Sequence, residues 1–78
     1  MPDREELLPS PGLAARWLAL LAEIRREREI RTRAHLSLSV NAWLCGLADC
    51  TLLTPAAFSQ LQHVLLRESV AAKQRAVA

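Results

Sequence analysis

Four side chains in this sequence are of the types that bind transition metals: Cys45, Cys50, His35 and His63. Structural zinc sites usually combine two closely spaced pairs of such residues. Here four residues separate the two cysteines, and no matching second pair follows. On a helix the two thiols would point about 140° apart, because successive residues turn by about 100°. We therefore expect structural cysteines, no metal and no cofactor.

The sequence contains no motif that is typical of catalysis. It has no nucleophile elbow, no phosphate-binding glycine loop and no paired-carboxylate motif. Catalysis also requires a preformed pocket, and three short helices offer little concavity. We therefore predict that the protein is not an enzyme.

A cluster of arginines is the clearest charge feature of the chain. Residues 25–35 contain five Arg and two Glu, which gives this segment a charge of +3, whereas the whole chain carries +2. One interpretation is a solvated helix face whose Arg stems cover neighbouring apolar surface. The other is a cationic surface for an acidic protein partner or for phosphates.

Two tryptophans, Trp17 and Trp43, fall on apolar helix faces and are expected in the core. Each helix has too few large apolar residues to bury every face in a monomer, so we expect one Trp at the seam of a homodimer. The side chains that we predict to bind a partner are Arg25, Arg28, Arg31, Arg33, Trp17 and Trp43.

A long N-terminal helix must carry most of these residues. Ser10 and Pro11 predict its start, as a capping side chain followed by proline in the first turn. An apolar stripe follows and ends at Ile24, after which we expect the helix to leave the core. Residues 1–9 are expected to form a flexible or loosely docked leader, and residues 10–78 a single helical domain.

The segment 31–43, RTRAHLSLSVNAW, fits two structures. Leu36, Leu38 and Val40 alternate with serines, as in a half-buried strand. A helix accounts for more residues, because it places five apolar side chains on one face: Leu36, Val40, Trp43, Leu44 and Leu47. We therefore predict a helix with a kink near residues 34–39, where serines are good caps.

A second helix start is predicted at Thr54 and Pro55, where Leu53 and Phe58 are spaced to form a hydrophobic staple. The fold that we predict is a small all-α, three-helix domain. It consists of the long N-terminal helix followed by an antiparallel helical hairpin.

Residues 44–66, LCGLADCTLLTPAAFSQLQHVLL, resemble the short helical hairpin of the SHOCT type. The resemblance rests on leucines at three-residue spacing, on Leu53-Thr54 before a helix, on Phe58 and on a late pair of leucines. Thr51 stands where that family usually has Gly, and Ala57 where it has Glu. The resemblance implies oligomerisation or partner binding.

Residues 31–40 also resemble the ribbon of ribbon–helix–helix repressors, which insert two strands into the DNA major groove. The resemblance implies that four side chains would face the bases: Arg33, His35, Ser37 and Ser39. A helix precedes this segment, whereas the family usually has its ribbon near the N-terminus. DNA-binding regulation is therefore the alternative function.

The function that we expect is stoichiometric binding to another protein, with regulation or inhibition of its complex as the output. An Arg-rich chain without enzyme motifs suits a phage or mobile-element protein that acts on a bacterial host. No apolar run approaches the ~18–20 residues of a membrane span. The N-terminus is not that of a secretory signal, and two unpaired cysteines suit a cytoplasmic protein.

Overall fold

The computed structural model describes residues 3–77, and side chains as far as residue 71. A short 3-10 turn, Glu5–Leu7, precedes three helices: α1 (Pro11–Arg26), α2 (Ile30–Asp49) and α3 (Pro55–Val77). No strand occurs among residues 3–77. The predicted all-α, three-helix fold is therefore confirmed.

Helix α1 begins as the sequence predicts. The Ser10 hydroxyl accepts a hydrogen bond from the backbone N–H of Leu13 at 3.2 Å, and Pro11 occupies the first helical position. The capping bond satisfies one of the N–H groups that a helix start leaves without an intrahelical partner. The buried face of α1 then comprises Trp17, Leu21 and Ile24.

The prediction of one long N-terminal helix is wrong in one respect. The structure has two helices, which separate at Glu27 to Glu29, instead of one helix with a kink near residues 34–39. Both glutamates have extended backbones, with ψ values of 126° and 122°. Their carboxylates accept hydrogen bonds from the backbone two residues ahead, at Glu29 and Arg31. Such local bonds compete with helical ones, so two good helix formers end one helix and begin the next.

The serines of α2 do not break the helix, because at least one of them bonds to a neighbouring helix. The Ser37 and Ser69 hydroxyls lie 2.9 Å apart, and Ser69 also donates to the carbonyl of Leu65. One turn further along, the Gln62 amide donates to the Asn41 side chain at 2.8 Å. These polar contacts join α2 to α3 as an antiparallel hairpin.

The turn between α2 and α3 places a threonine in the left-handed region. Thr51 has φ 58°, and its N–H bonds to the carbonyl of Ala48 while that of Leu52 bonds to Leu47. This pair of bonds is the Schellman arrangement, whose left-handed residue is usually glycine. Thr54 then caps α3 by accepting from the N–H of Ala57 at 3.1 Å.

Helix α1 packs against both helices of the hairpin and closes a single core. The Trp17 ring stacks on Trp43 with centroids 6.5 Å apart and an angle of 11° between the planes. Its indole N–H donates to the carbonyl of Asp3 at 2.7 Å. The largest fully buried side chains are Trp17, Leu21, Ile24, Leu44, Leu61 and Val40.

The leader is in contact with the helices over its described part, from residue 3 onwards. Leu8 is buried in the core, and Arg4 donates a hydrogen bond to Gln60 of α3. The Asp3 carboxylate pairs with Arg25 at 2.8 Å. Residues 1 and 2 of the predicted flexible leader, and residue 78 of the predicted domain, lie outside the described part of the chain.

Candidate functional site

An open groove of about 750 Å³ runs between α2 and α3. Its lining includes Ile30 and Leu38 from α2 and Leu65 and Leu66 from α3. On α2, Leu38 and Trp43 point about 140° apart, and Trp43 faces α1 through its stacking contact. The groove therefore lies on the face of the hairpin that α1 leaves uncovered.

The walls of this groove are large apolar side chains that remain in solvent. Ile30, Leu38 and Leu66 are 60%, 69% and 62% exposed, and Val70 follows Leu66 one turn later on α3. Fully burying one such side chain is worth about 1.5–3 kcal/mol, so leaving several exposed on one surface forgoes a sizeable stabilisation. Clustered exposure of this kind marks interaction surfaces.

The floor of the groove is polar but internally satisfied. Ser37 with Ser69, and Asn41 with Gln62, use their side chains on each other across the helix interface. The groove therefore presents a largely apolar surface whose polar side chains bond to each other.

Two of the predicted partner-binding arginines are committed to internal contacts. Arg33 is only 5% exposed, and its guanidinium donates to the carbonyl of Glu27 at 3.1 Å, at the C-terminal end of α1. Arg25 pairs with Asp3 and with Glu68, the latter at 3.1 Å. The pKa of Arg25 is raised, chiefly by the hydrogen bond with Asp3 and further by Glu68, while partial burial lowers it. Arg33 is therefore a buried structural residue, whereas Arg25 is exposed and forms its ion pairs within the chain.

The other three arginines of the cluster, Arg26, Arg28 and Arg31, are exposed. Arg28 and Arg31 are exposed, and neither has an ion-pair partner among the side chains that the structure describes. They stand on either side of Ile30 in the chain, where the groove begins. The N-terminus of α2 adds its own partial positive charge there. Glu27 and Glu29 lie beside them in the chain, so this end of the groove carries charges of both signs, with Arg28 and Arg31 as exposed cations.

The tryptophans that were predicted to bind a partner differ in accessibility. Trp17 is 0% exposed, so it cannot contact a partner while the domain is folded. Trp43 is half-buried and packs against the core. The two rings stack within one chain, which gives them a role in joining α1 to the hairpin.

The predicted DNA-reading ribbon is wrong, because residues 31–40 lie within α2. Two of the four proposed base readers also have internal partners: Arg33 caps α1, and Ser37 bonds to Ser69. The alternation of Leu36, Leu38 and Val40 has a different origin. Val40 points into the core whereas Leu38 stands in solvent on the groove.

The groove residues Ile30 and Leu66 were missed from the sequence. Both residues fall outside the apolar stripes of their own helices that form the core. One sequence signal could have identified them, namely a large aliphatic side chain on the polar face of an amphipathic helix. Leu38 shows the same signal.

The four metal-ligand types noted in the sequence do not assemble. Cys45 is half-buried, Cys50 is exposed, and both are free thiols. Among the described residues no three side chains of His, Cys, Asp or Glu converge on a site that could hold a metal ion. Within the same residues, no helix is both long enough and apolar enough to cross a membrane.

Comparisons with protein families, with curated proteins and with solved structures give no match. Of the two resemblances drawn from the sequence, the ribbon is contradicted by α2, and the helical hairpin of residues 44–66 stays a prediction.

Proposed function

We propose that the protein is a small non-enzymatic binding module that holds an apolar helix of a partner protein in the α2–α3 groove. By occupying that helix stoichiometrically it regulates or inhibits the complex to which the helix belongs. The observation that carries the proposal is the exposure of Ile30, Leu38 and Leu66 around one groove.

A helix is the occupant that suits this shape. Two packed helices present a furrow between them, and an amphipathic helix fills such a furrow with apolar anchors at spacings of three and four residues. Ile30 and Leu38 are eight residues apart on α2, which is about 12 Å along the helix axis. The occupant therefore needs about two to three turns of apolar face.

The partner helix is expected to carry acidic residues beside its apolar face. Arg28 and Arg31 are exposed on either side of Ile30 with no ion-pair partner among the described side chains, and the acidic flank of an incoming helix would pair with them. Opposite charges at the rim of an interface mainly speed association and fix orientation, whereas the apolar contacts set the lifetime of the complex. Two free cysteines suit action in a reducing compartment such as the cytoplasm.

The test compares groove variants with a matched control outside the groove. Ile30→Glu and Leu66→Glu each place a charge in the apolar wall, whereas Leu52→Glu makes the same change at the 48%-exposed leucine of the α2–α3 turn. Cross-linked capture from a cell extract supplies candidates. Each candidate is then purified and titrated with the wild type and the three variants by calorimetry.

We expect a 1:1 complex that Ile30→Glu and Leu66→Glu each weaken at least about tenfold, because about 1.4 kcal/mol is tenfold in affinity and each change removes a desolvated contact. Leu52→Glu should bind as the wild type does. Equal binding by all three variants, or equal loss in all three, would show that the groove is not the binding surface.

A further inference from the structure

The outward face of α2 carries a second feature beside the groove. Six of its residues recur at alternating spacings of four and three: Arg31, His35, Leu38, Ala42, Cys45 and Asp49. Residues at these spacings lie along one face of a helix. Leu38 is exposed, Cys45 is half-buried and the remaining four are exposed. We call these six residues the outer seam of α2.

The two ends of the outer seam carry opposite charges. Arg31 lies in the first turn of α2 and Asp49 is its last residue, about 27 Å away along the axis. Neither has an ion-pair partner among the described side chains. A cation at the start of a helix and an anion at its end both oppose the helix macrodipole. Neither charge is therefore explained by the stability of α2.

A second copy of the same helix would satisfy both charges. We infer that the outer seam binds the outer seam of a second copy of this chain, with the two α2 helices antiparallel. When residue 40 lies at the twofold axis, Arg31 faces Asp49 of the second copy and Leu38 faces its Ala42. Symmetry repeats each contact, so one surface supplies two ion pairs and two leucine contacts.

The other orientation is disfavoured by the same charges. Parallel α2 helices in register would place Arg31 beside Arg31 and Asp49 beside Asp49, and like charges at facing positions repel. Antiparallel helices also align their macrodipoles favourably. The small side chains of Ala42 and Cys45 in the middle of the seam let the two backbones approach closely, with Leu38 filling the space between them.

This dimer goes beyond the proposed function and does not depend on it. The outer seam and the groove share Leu38, so in the dimer the exposed apolar walls left for a partner helix are Ile30 and Leu66, which belong to the groove alone. In the dimer Arg31 is used by the second copy, whereas Arg28 stays exposed near the start of the groove. A single helix pair lies at the small end of interface sizes, so the dimer exchanges with monomer on dilution.

Charge exchange tests the inference in the full-length chain. Arg31→Asp and Asp49→Arg each set like charges against one another twice in the dimer, and the double variant restores opposite charges. Sedimentation equilibrium over a concentration series measures the dimer dissociation constant. We expect each single variant to raise it at least about tenfold and the double variant to return it close to the wild-type value.

Unfolding does not explain such a result, because each single variant improves the match between α2 and its macrodipole. Circular dichroism should show unchanged helicity and an unchanged or slightly raised melting temperature. A wild type that stays monomeric at the highest concentration reached, or a double variant that fails to regain dimerisation, would overturn the inference. So would loss of the dimer in Ile30→Glu or Leu66→Glu, because the second copy would then occupy the groove. Failure of the proposed function would leave these results unchanged.

Discussion

The two faces of the α2–α3 hairpin carry the same kinds of residue, but they differ in how much of each side chain is exposed to solvent. On the face covered by α1, Leu44 of α2 and Leu61 of α3 are completely removed from solvent. On the uncovered face, Ile30, Leu38 and Leu66 are mostly in solvent although they come from the same two helices. The first face stabilises the domain, and the second is available to something outside it.

The contacts beneath the two faces differ in the same way. The covered face is joined by ring stacking between Trp17 and Trp43 and by close aliphatic packing. The uncovered face is joined by side-chain hydrogen bonds such as Ser37 with Ser69. Hydrogen bonds satisfy the floor of the groove without covering its apolar walls. A change on the covered face should therefore alter stability, and a change on the other should alter binding.

The largest effect that we expect is loss of the fold in Trp17→Ala. Removing a fully buried Trp costs about 3–5 kcal/mol, which is a large share of the stability of so small a domain. Urea unfolding followed by circular dichroism measures the change. Leu52→Ala, at an exposed leucine, should stay within about 0.5 kcal/mol of the wild type. Cooperative unfolding at the wild-type urea midpoint in Trp17→Ala would show that α1 does not stabilise the hairpin.

A smaller effect on the free energy of unfolding is expected from single substitutions in the arginine cluster. Arg33→Ala removes the donor to the Glu27 carbonyl at the end of α1, and should lower the free energy of unfolding by about 1–3 kcal/mol. Arg28→Ala should change it by less than about 0.5 kcal/mol, because that side chain is exposed and unpaired among the described residues. The same urea titration compares them. Equal losses would contradict the division into structural and free arginines.

The smallest effect concerns the turn that joins the two faces. Thr51→Gly should stabilise the protein by about 1 kcal/mol, because glycine adopts the left-handed conformation at φ 58° without the clash of a β-branched side chain. Thr32→Gly makes the same change inside α2 and should destabilise by about 0.5 kcal/mol. Thermal unfolding measures both variants. If Thr51→Gly were destabilised instead, the Thr51 side chain would stabilise the turn by more free energy than its left-handed backbone conformation costs.

The parts of the fold that are encoded locally could be predicted from the sequence. Ser10 and Thr54 cap α1 and α3 where the sequence places them, because a capping bond needs only residues within one turn. The core positions of Trp17 and Leu44 follow from the apolar stripes of their own helices. Local signals of this kind do not depend on how the helices later pack.

The break between α1 and α2 could not be predicted in the same way. Glutamate favours helices, so the residue types of Glu27 and Glu29 do not indicate a break. The cause of the break is visible only in the structure, where their carboxylates bond to the backbone. The contact of Arg33 with the Glu27 carbonyl exists only because α1 turns back onto the hairpin. Arg25 likewise depends on Asp3 and Glu68, which are distant in sequence. Tertiary neighbours therefore decided which arginines stayed free.

The comparison of the two faces is tested most directly by adjacent residues on α3. Both leucines line the groove, but Leu65 is buried and packs in the core, whereas Leu66 is exposed. The measurement is the free energy of unfolding and the affinity for the purified partner, in Leu65→Ala and in Leu66→Glu. We predict that Leu65→Ala loses about 2–4 kcal/mol of stability. Leu66→Glu should keep the wild-type stability and lose at least about tenfold in affinity. Full affinity in Leu66→Glu, or a loss of stability equal to that of Leu65→Ala, would contradict the account.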